Sequence, residues 1–373
     1  MKEAVIVSAT RTAVGRAKRG TLINHRPDEM AVTVVSEALH RAQGVEPAMV
    51  EDVILGCSFP EAEQGMNVGR ITVLRAGLPY TVPGQTVNRF CASGLQSIAL
   101  AAERIMLGSS DCIIAGGTES MSMVPIGGNK YAPNPWLMAN YPEAYMPMGM
   151  TAEQVASDFN ISRQDQDEFG YHSHMKALAA IDGGKFKDEI VPMEVQVDTE
   201  EGGKTVIFET DEGPRRGTTV EKMATLKPAF RADGTVTAGN SSQMSDGAAA
   251  VMVMERERAK ALGLKPMVRF LGYAEVGVRP EVMGIGPVEA IPKVLKLTGL
   301  TLSDMGRLWN ANLIRNLSHL AGAARFPQTT RAVFVCGAGP SLARALPVMR
   351  AHRERIRIIA VDTALPSLCL LYT

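Results

Sequence analysis

Neither sign of charge is in excess in this 373-residue sequence, where 39 Lys and Arg stand against 39 Asp and Glu. Zero net charge offers no electrostatic footing for nucleic acid or an anionic membrane surface, so neither is expected as a partner. Cysteine is scarce: five residues (57, 91, 112, 336 and 369), with none of the spacings of a disulfide framework or a zinc site. Long apolar runs are missing too. Nothing approaches the roughly eighteen residues of a membrane span, and the apolar part of MKEAVIVSATRT is too short for a signal peptide. What is present is a chain 46% hydrophobic with a mean hydropathy of +0.01, able to bury a large core. Its length predicts two or three domains' worth of core, or one large layered unit. The expectation is a soluble α/β protein of a reducing compartment, the cytoplasm.

The most informative stretch is Val87 to Gly117, VNRFCASGLQSIALAAERIMLGSSDCIIAGG. Cys91 sits where a polar turn, Asn88 and Arg89, gives way to helix formers. Leu95, Ile98, Ala99, Ala102, Ile105 and Met106 have the spacing of one helix face. Gly108 closes the helix, and an apolar strand is expected over Cys112 to Ala115. A cysteine in the first turn of a buried helix meets the positive end of the backbone dipole, which favours thiolate and so nucleophilic chemistry without a metal. Read locally, the same residue also suits a small buried hydrophobe.

Around this stretch strands and helices alternate. Ala4 to Ser8 reads as a strand buried on both faces, followed by a basic loop. Pro27-Asp28-Glu29 opens a helix faced by Met30, Val34, Ala38 and Leu39 and ended by Gly44. Val53 to Cys57 reads as a strand and Gly65 to Gly77 as a helix. This alternation predicts parallel α/β layers. An internal echo links Pro27 to Asp52 with Pro287 to Asp304: proline, acid, helix, glycine, acidic end. Residues 118–236 differ, being rich in Met, Pro, Gly and polar residues. Within them Ser162, with Asp165 three residues on, caps a helix running to about Ile181. Gly239 to Ser242 is expected as a loop and Ala248 to Met254 as a buried strand.

NRFCASGLQ followed by IIAGGTESMS resembles the nucleophile segment of the thiolases, the acyl-CoA C-acyltransferases, and GTTVEKMATLKPAF and TVTAGNSSQMSDGAAAVMVM are similar to further blocks of that family. The resemblance implies a thiolase-type layered αβαβα core with an inserted loop domain. It places an N-terminal half-core at 1–117 plus 237–265, a CoA-binding loop domain at 118–236, and the start of a C-terminal half-core at 266–305. It implies Cys91 as the acyl-carrying cysteine, with acyl-CoA and CoA as substrates, no cofactor, no metal, and a homodimer or homotetramer. It also implies Ser242 and Ala238 beside the pantetheine arm, Phe230 in the wall of the CoA tunnel, Arg215 at the nucleotide end and Met148 in the acyl pocket. Some thiolases carry a histidine before that methionine. This chain has Pro147, which leans towards the longer-chain or degradative branch.

The resemblance is unbroken to about Met305. Beyond it the family continues with an Asn-Glu-Ala-Phe block, a Gly-His-Pro block and a second cysteine in Cys-x-Gly-x-Gly. These supply an oxyanion-hole asparagine, the histidine that activates the nucleophile, and the cysteine that moves the α-proton. Here the stand-ins are Asn310, His319 without flanking Gly and Pro, and Cys336 in Cys-Gly-Ala-Gly. The expectation is an incomplete or replaced C-terminal half, with an atypical tail at 306–373. In that tail Ala332 to Cys336 reads as a strand, Gly337 to Gly339 as a turn, Pro340 to about Glu354 as a helix and Arg357 to Asp362 as a second strand. This βαβ unit has a generic phosphate-binding shape and resembles a Rossmann-like segment of the 6-hydroxymethylpterin diphosphokinase-like proteins. Two readings follow: an acyltransferase impaired by the lost motifs, or an inactive fused or frameshifted fragment that binds CoA or a nucleotide only.

Overall fold

Two helices sandwich one sheet, and the side chains of successive strand residues go alternately to each. The computed structural model describes residues 1–199 and 202–299, and the backbone of residues 332–336 and 356–360. Its contacts divide the chain into two units, Met1–Ala290 and Ile291–Thr373. The first unit runs β1 (Ala4–Arg11), β2 (Gly15–Arg16), α1 (Pro27–Arg41), β3 (Val53–Gly56), α2 (Val68–Arg75), β4 (Gly84–Val87), α3 (Ser93–Met106) and β5 (Cys112–Ser120). There follow α4 (Pro135–Asn140), α5 (Met148–Asp158), α6 (Arg163–Asp182), β6 (Met193–Thr199), β7 (Gly202–Phe208) and α7 (Val220–Ala224). The chain then returns through β8 (Ser245–Glu255), α8 (Arg256–Ala261) and β9 (Val268–Arg269) to α9 (Gly286–Leu297), which runs past the unit boundary.

The sheet has the order β4-β3-β5-β8-β1-β9, with β2 paired to β8. β4, β3 and β5 are parallel, as the alternation of strands and helices predicts. β8 departs from that expectation: it lies antiparallel between β5 and β1, so the sheet is mixed. β8 arrives from the intervening 118–236 segment rather than through a crossover helix, and such a connection sets no parallel direction. Val53, Leu55, Ile114, Met252 and Met254 pack in one cluster with Met30, Val34 and Ala38 of α1. Ile54, Ile113, Ala115 and Val253 pack in the other with Ala101, Ala102 and Ile105 of α3. This is the period-two signature of a sheet covered on both faces.

Local sequence explains the helices. Pro27 stands at the start of α1, Asp28 and Glu29 lie in its first turn, and His40 and Arg41 in its last, complementing the dipole. Ser8 Oγ donates to the Ala38 carbonyl at 2.6 Å and Thr10 Oγ1 to that of Val34 at 2.9 Å, seating α1 on β1. α3 ends in a Schellman motif: Gly108 N donates to Ile105 O, and Ser109 N to Arg104 O. Ala99, Ala102 and Ile105 of its expected face are buried, and the departure is at the first turns. Ser93, Ser97 and Ala101 are buried, whereas Leu95 is 58% exposed. The helix turns small residues inward because its N-terminus lies against backbone: a Cβ on Gly56 would stand 2.5 Å from the Ser93 carbonyl carbon. Ser97 Oγ reaches the Gly116 carbonyl at 2.8 Å. That close approach admits Ser and Ala and excludes Leu.

α6 begins with the expected capping box between Ser162 and Asp165. The hairpin β6–β7 was not expected; Met193 and Val195 bury one face of it. No described helix is long and apolar enough to cross a membrane. In the second unit, Ala332–Cys336 (β10) pairs in parallel with Ile356–Ala360 (β11), from Ala332 opposite Ile356 to Cys336 opposite Ala360. β10 has its expected span, and β11 overlaps the strand expected over Arg357 to Asp362; the helix expected between them lies outside the described residues, as do Asn310 and His319.

Candidate active site

Cys91 lies in the five-residue turn between β4 and α3, beyond the C-terminal ends of the parallel strands β3, β4 and β5. In open α/β sheets that end is where ligands bind. α3 starts at Ser93 with Ala92 as its N-cap, so Cys91 stands one residue ahead of the cap rather than in the first turn expected from sequence. It is exposed. Phe90, immediately before it, has φ of +45°, in the left-handed region that non-glycine residues rarely adopt. Hydrogen bonds hold this conformation. Phe90 N donates to Asn88 Oδ1 at 2.8 Å, and Arg89 N donates to Ser93 Oγ at 2.8 Å.

The turn is fastened to the loop after β3. Asn88 Nδ2 donates to the Ser58 carbonyl at 2.8 Å, and Ser58 N donates to Glu119 Oε2 at 2.6 Å. Gln64, fully buried, donates to Glu119 Oε1 and accepts from Ser120 N at 3.0 Å. The Phe59 and Phe90 rings stand 6.1 Å apart.

The other described cysteines differ in kind. Burial, with Glu119 adding, pushes the Cys57 thiol up to about 12. Burial, with Glu51 adding, does the same to Cys112, also to about 12. Neither is poised to attack at neutral pH, because thiolate is the nucleophilic form. The Cys336 side chain lies outside the described residues.

Of the remaining site residues expected from sequence, Met148 lies on α5, while Arg215, Phe230, Ala238 and Ser242 lie in the chain that follows β7. Met148, the first residue of α5, is half exposed, and its neighbour Gly149 abuts the Phe230 ring. Phe230 and Ala238 lie on two arms that meet where Ala229 N donates to Val236 O at 2.9 Å. The carboxylate of Glu153 on α5, almost wholly buried, accepts from Thr235 N and Val236 N at 2.8–2.9 Å. Asn240 Nδ2 donates to Asp167 Oδ1 at 2.9 Å, and Arg163 Nε donates to Asp167 Oδ2 at 2.8 Å. Arg215 N donates to His174 Nδ1 at 3.2 Å. Arg163, Asp167, Gly170 and His174 fall at i, i+4, i+7 and i+11, one face of α6. Along that face the helix meets Met223, Leu226, Gly239, Asn240 and Arg215 in the segment that also carries Ser242. Ser242, Ala238 and Arg215 are exposed. Burial, then the nearby Arg215 charge, holds the His174 imidazole below its usual value.

Sequence reading missed Asn88, Ser58 and Glu119 behind the nucleophile turn, and Glu153 and Asp167 behind the loop segment. All five act through contacts across 30 or more residues, or from the inner face of a helix, where no local spacing marks them. Among the described residues no group of three or more His, Cys, Asp or Glu is placed to hold a metal ion.

Comparison with known proteins is extensive. The family "Thiolase, N-terminal domain" matches residues 4–257, and "Thiolase, C-terminal domain" matches residues 264–337. The second match passes residue 305, where the resemblance was expected to end. A 3-ketoacyl-CoA thiolase of Bacillus subtilis is 59% identical over 312 residues, covering 82% of this chain and 79% of that protein. An acetyl-CoA acetyltransferase of Pseudomonas aeruginosa is 42% identical over 317 residues, 82% of this chain and 79% of that protein. The crystal structure of the acetyl-CoA acetyltransferase of Bacillus anthracis superposes with a TM-score of 0.72 at 42% identity, covering 82% of this chain and 78% of that one.

Proposed function

Because the chain belongs to the thiolase family, with that family's layered α/β fold, we propose that it transfers acyl groups between CoA thioesters through a covalent adduct on Cys91. The observation that carries this reading is the contrast among the described cysteines. Cys91 is exposed on a held turn beyond the ends of the parallel strands, while Cys57 and Cys112 are buried with thiols near 12. In the acylating step the Cys91 sulfur bonds to the carbonyl carbon of a substrate thioester or 3-ketone. The bond to CoA sulfur, or the C2–C3 bond, then breaks. The Cys91 proton passes to a base, and the departing CoA thiolate or acetyl-CoA enolate takes up a proton. A second thiolate or enolate then removes the acyl group, regenerating Cys91. Met148 would line the acyl pocket and Phe230, against Gly149, the wall of the CoA tunnel. Ala238 and Ser242, flanking the Gly239-Asn240 stretch that meets α6, would hold the pantetheine arm of CoA, and Arg215, bonded to His174 of α6, its nucleotide end.

The reading includes a low turnover. The sequence from 306 onwards contains neither Asn-Glu-Ala-Phe nor Gly-His-Pro. The B. subtilis relative matches 82% of the chain and leaves the rest unmatched. Stabilising an enolate and shuttling its proton need groups besides one thiolate, so acylation outlasts full catalysis here. A homo-oligomer and a cytoplasmic setting complete the proposal. In support of the former, exposed Met66, Ile71, Leu74, Tyr80 and Phe90 lie in the segments leading into and out of edge strand β4.

The test pairs two assays. Incubation with acetyl-CoA should leave one acetyl group on the Cys91 peptide, absent from Cys91→Ser, while steady-state thiolysis of acetoacetyl-CoA runs far below that of an intact thiolase. Acetyl on another residue would overturn the nucleophile assignment. Ordinary turnover abolished by Cys91→Ser would overturn the impairment alone. Light scattering of the purified chain reads the oligomer.

A further inference from the structure

Asn88 makes two hydrogen bonds with its single amide, and they pull in different directions. Its Oδ1 accepts from Phe90 N at 2.8 Å, folding the turn over, and its Nδ2 donates to the Ser58 carbonyl at 2.8 Å, tying the turn to the sheet end. Ser58 is itself held from behind, its N donating to Glu119 Oε2 at 2.6 Å. Glu119 belongs to β5, the strand hydrogen-bonded to β3, and Gln64 grips its other oxygen. Between Asn88 and the nucleophile stand Arg89 and Phe90, and Phe90 has a φ of +45° that an L side chain adopts only when its surroundings impose it. Cys91 follows directly. Its Sγ therefore takes its place from a backbone angle that the chain would not choose unaided.

We propose that Asn88 is the positioning residue of the nucleophile: its amide, braced by Ser58 and Glu119, holds Phe90 in the left-handed conformation and thereby fixes where the Cys91 sulfur meets a thioester carbonyl. This rests on Cys91 being the acyl-accepting residue. Among the described residues no hydrogen bond joins Asn88, Ser58 or Glu119 to the Cys91 sulfur. The effect of Asn88 is on approach geometry, where a displacement of about 1 Å is enough to slow a reaction by about 100-fold.

The experiment measures the single-turnover rate of Cys91 acetylation by acetyl-CoA, followed by mass spectrometry of the Cys91 peptide. Acetyl on Cys91 in the unaltered chain establishes the premise first; its failure there is the failure of the functional reading and is seen before any variant is made. Asn88→Ala should then acetylate about 30-fold more slowly, with the half-saturating acetyl-CoA concentration changed less than about threefold. Alkylation of Cys91 by iodoacetamide, which tolerates any approach, should change less than about twofold. In a Phe90→Gly background, where glycine takes a positive φ freely, the Asn88→Ala effect should shrink to within about threefold. That pair also supplies the test should Asn88→Ala alone fail to fold. An unchanged acetylation rate in Asn88→Ala overturns the proposal. So does an equal fall in alkylation, which would place the effect on thiol ionisation, or a full 30-fold loss persisting beside Phe90→Gly.

Discussion

Gly149 and Phe230 share one space: a Cβ built on Gly149 would lie 2.3 Å from three atoms of the Phe230 ring. The backbone of α5 therefore packs against the aromatic ring, which joins the segment expected to line the acyl pocket, at Met148, to the one expected in the wall of the CoA tunnel, at Phe230. Gly149→Ala must push the ring aside. A loss of stability of about 1–3 kcal/mol is expected from such overpacking, read by urea unfolding. Wherever acylation is measurable, the half-saturating concentration of acyl-CoA should rise by about tenfold. An unchanged value would separate Phe230 from the substrate.

The cysteines predict a labelling pattern. In the native chain at pH 8, iodoacetamide should modify Cys91 and leave Cys57 and Cys112 intact; unfolding should expose both. The same burial gives a pH dependence with a definite sign. Each buried thiol rises from its ordinary value of 9.0 to about 12 on folding. Below pH 9 both states hold the proton and nothing is lost. Between pH 9 and about 12 the unfolded chain releases protons that the folded chain retains, so stability falls as pH rises. A double Cys57→Ala and Cys112→Ala variant should show a shallower decline across that window in denaturant titrations at stepped pH.

Glu153 is a carboxylate at the back of the loop segment, its two oxygens accepting from Thr235 N, Val236 N and Thr235 Oγ1. Glu153→Gln turns one acceptor into a donor facing donors. The expected cost is about 1–3 kcal/mol, visible as a lower melting temperature. Binding of CoA to the Ala238 and Ser242 stretch should weaken, while the rate of Cys91 alkylation stays unchanged. A parallel fall in alkylation would show that the two sites are not supported separately.

Arg215 is exposed, and its guanidinium has no hydrogen-bond or ion-pair partner among the described residues. Arg215→Ala should therefore leave stability within about 0.5 kcal/mol of the original. It should weaken CoA binding in a salt-dependent way if the side chain meets the nucleotide phosphates. Removing its charge should let the His174 imidazole titrate at higher pH, because Arg215 is one of the two causes holding it down. NMR titration of His174 checks that shift.

Much of this arrangement was legible in the chain itself. The caps of α1 and α6, the closing Gly108 and the strands at Ala4, Val53, Cys112 and Ala332 all follow from local chemistry, and the structure places them as expected. The failures share a cause. Leu95 fits a helix stripe by spacing, yet the neighbour of α3 is the bare backbone at Gly56 and Gly116, which only Ser and Ala can approach. The antiparallel course of β8 depends on what lies between it and β5, a quantity its own residues do not carry. β6 does alternate, Met193, Val195 and Val197 against Glu194, Gln196 and Asp198, but it lies inside a segment whose overall composition reads as loop. Cys91 was legible as a nucleophile candidate because its motif is contiguous. Asn88, only three residues away, was not, since its meaning lies in a carbonyl thirty positions earlier.

The face of α6 that carries Arg163, Asp167, Gly170 and His174 braces the loop segment, while the Cys91 turn hangs from the sheet through Ser58 and Glu119. On the proposed function, affinity and speed are thus mounted on separate supports. Drift along the helix would then retune which thioester is held without disturbing the sulfur, and damage to the chemistry would leave binding of CoA in place.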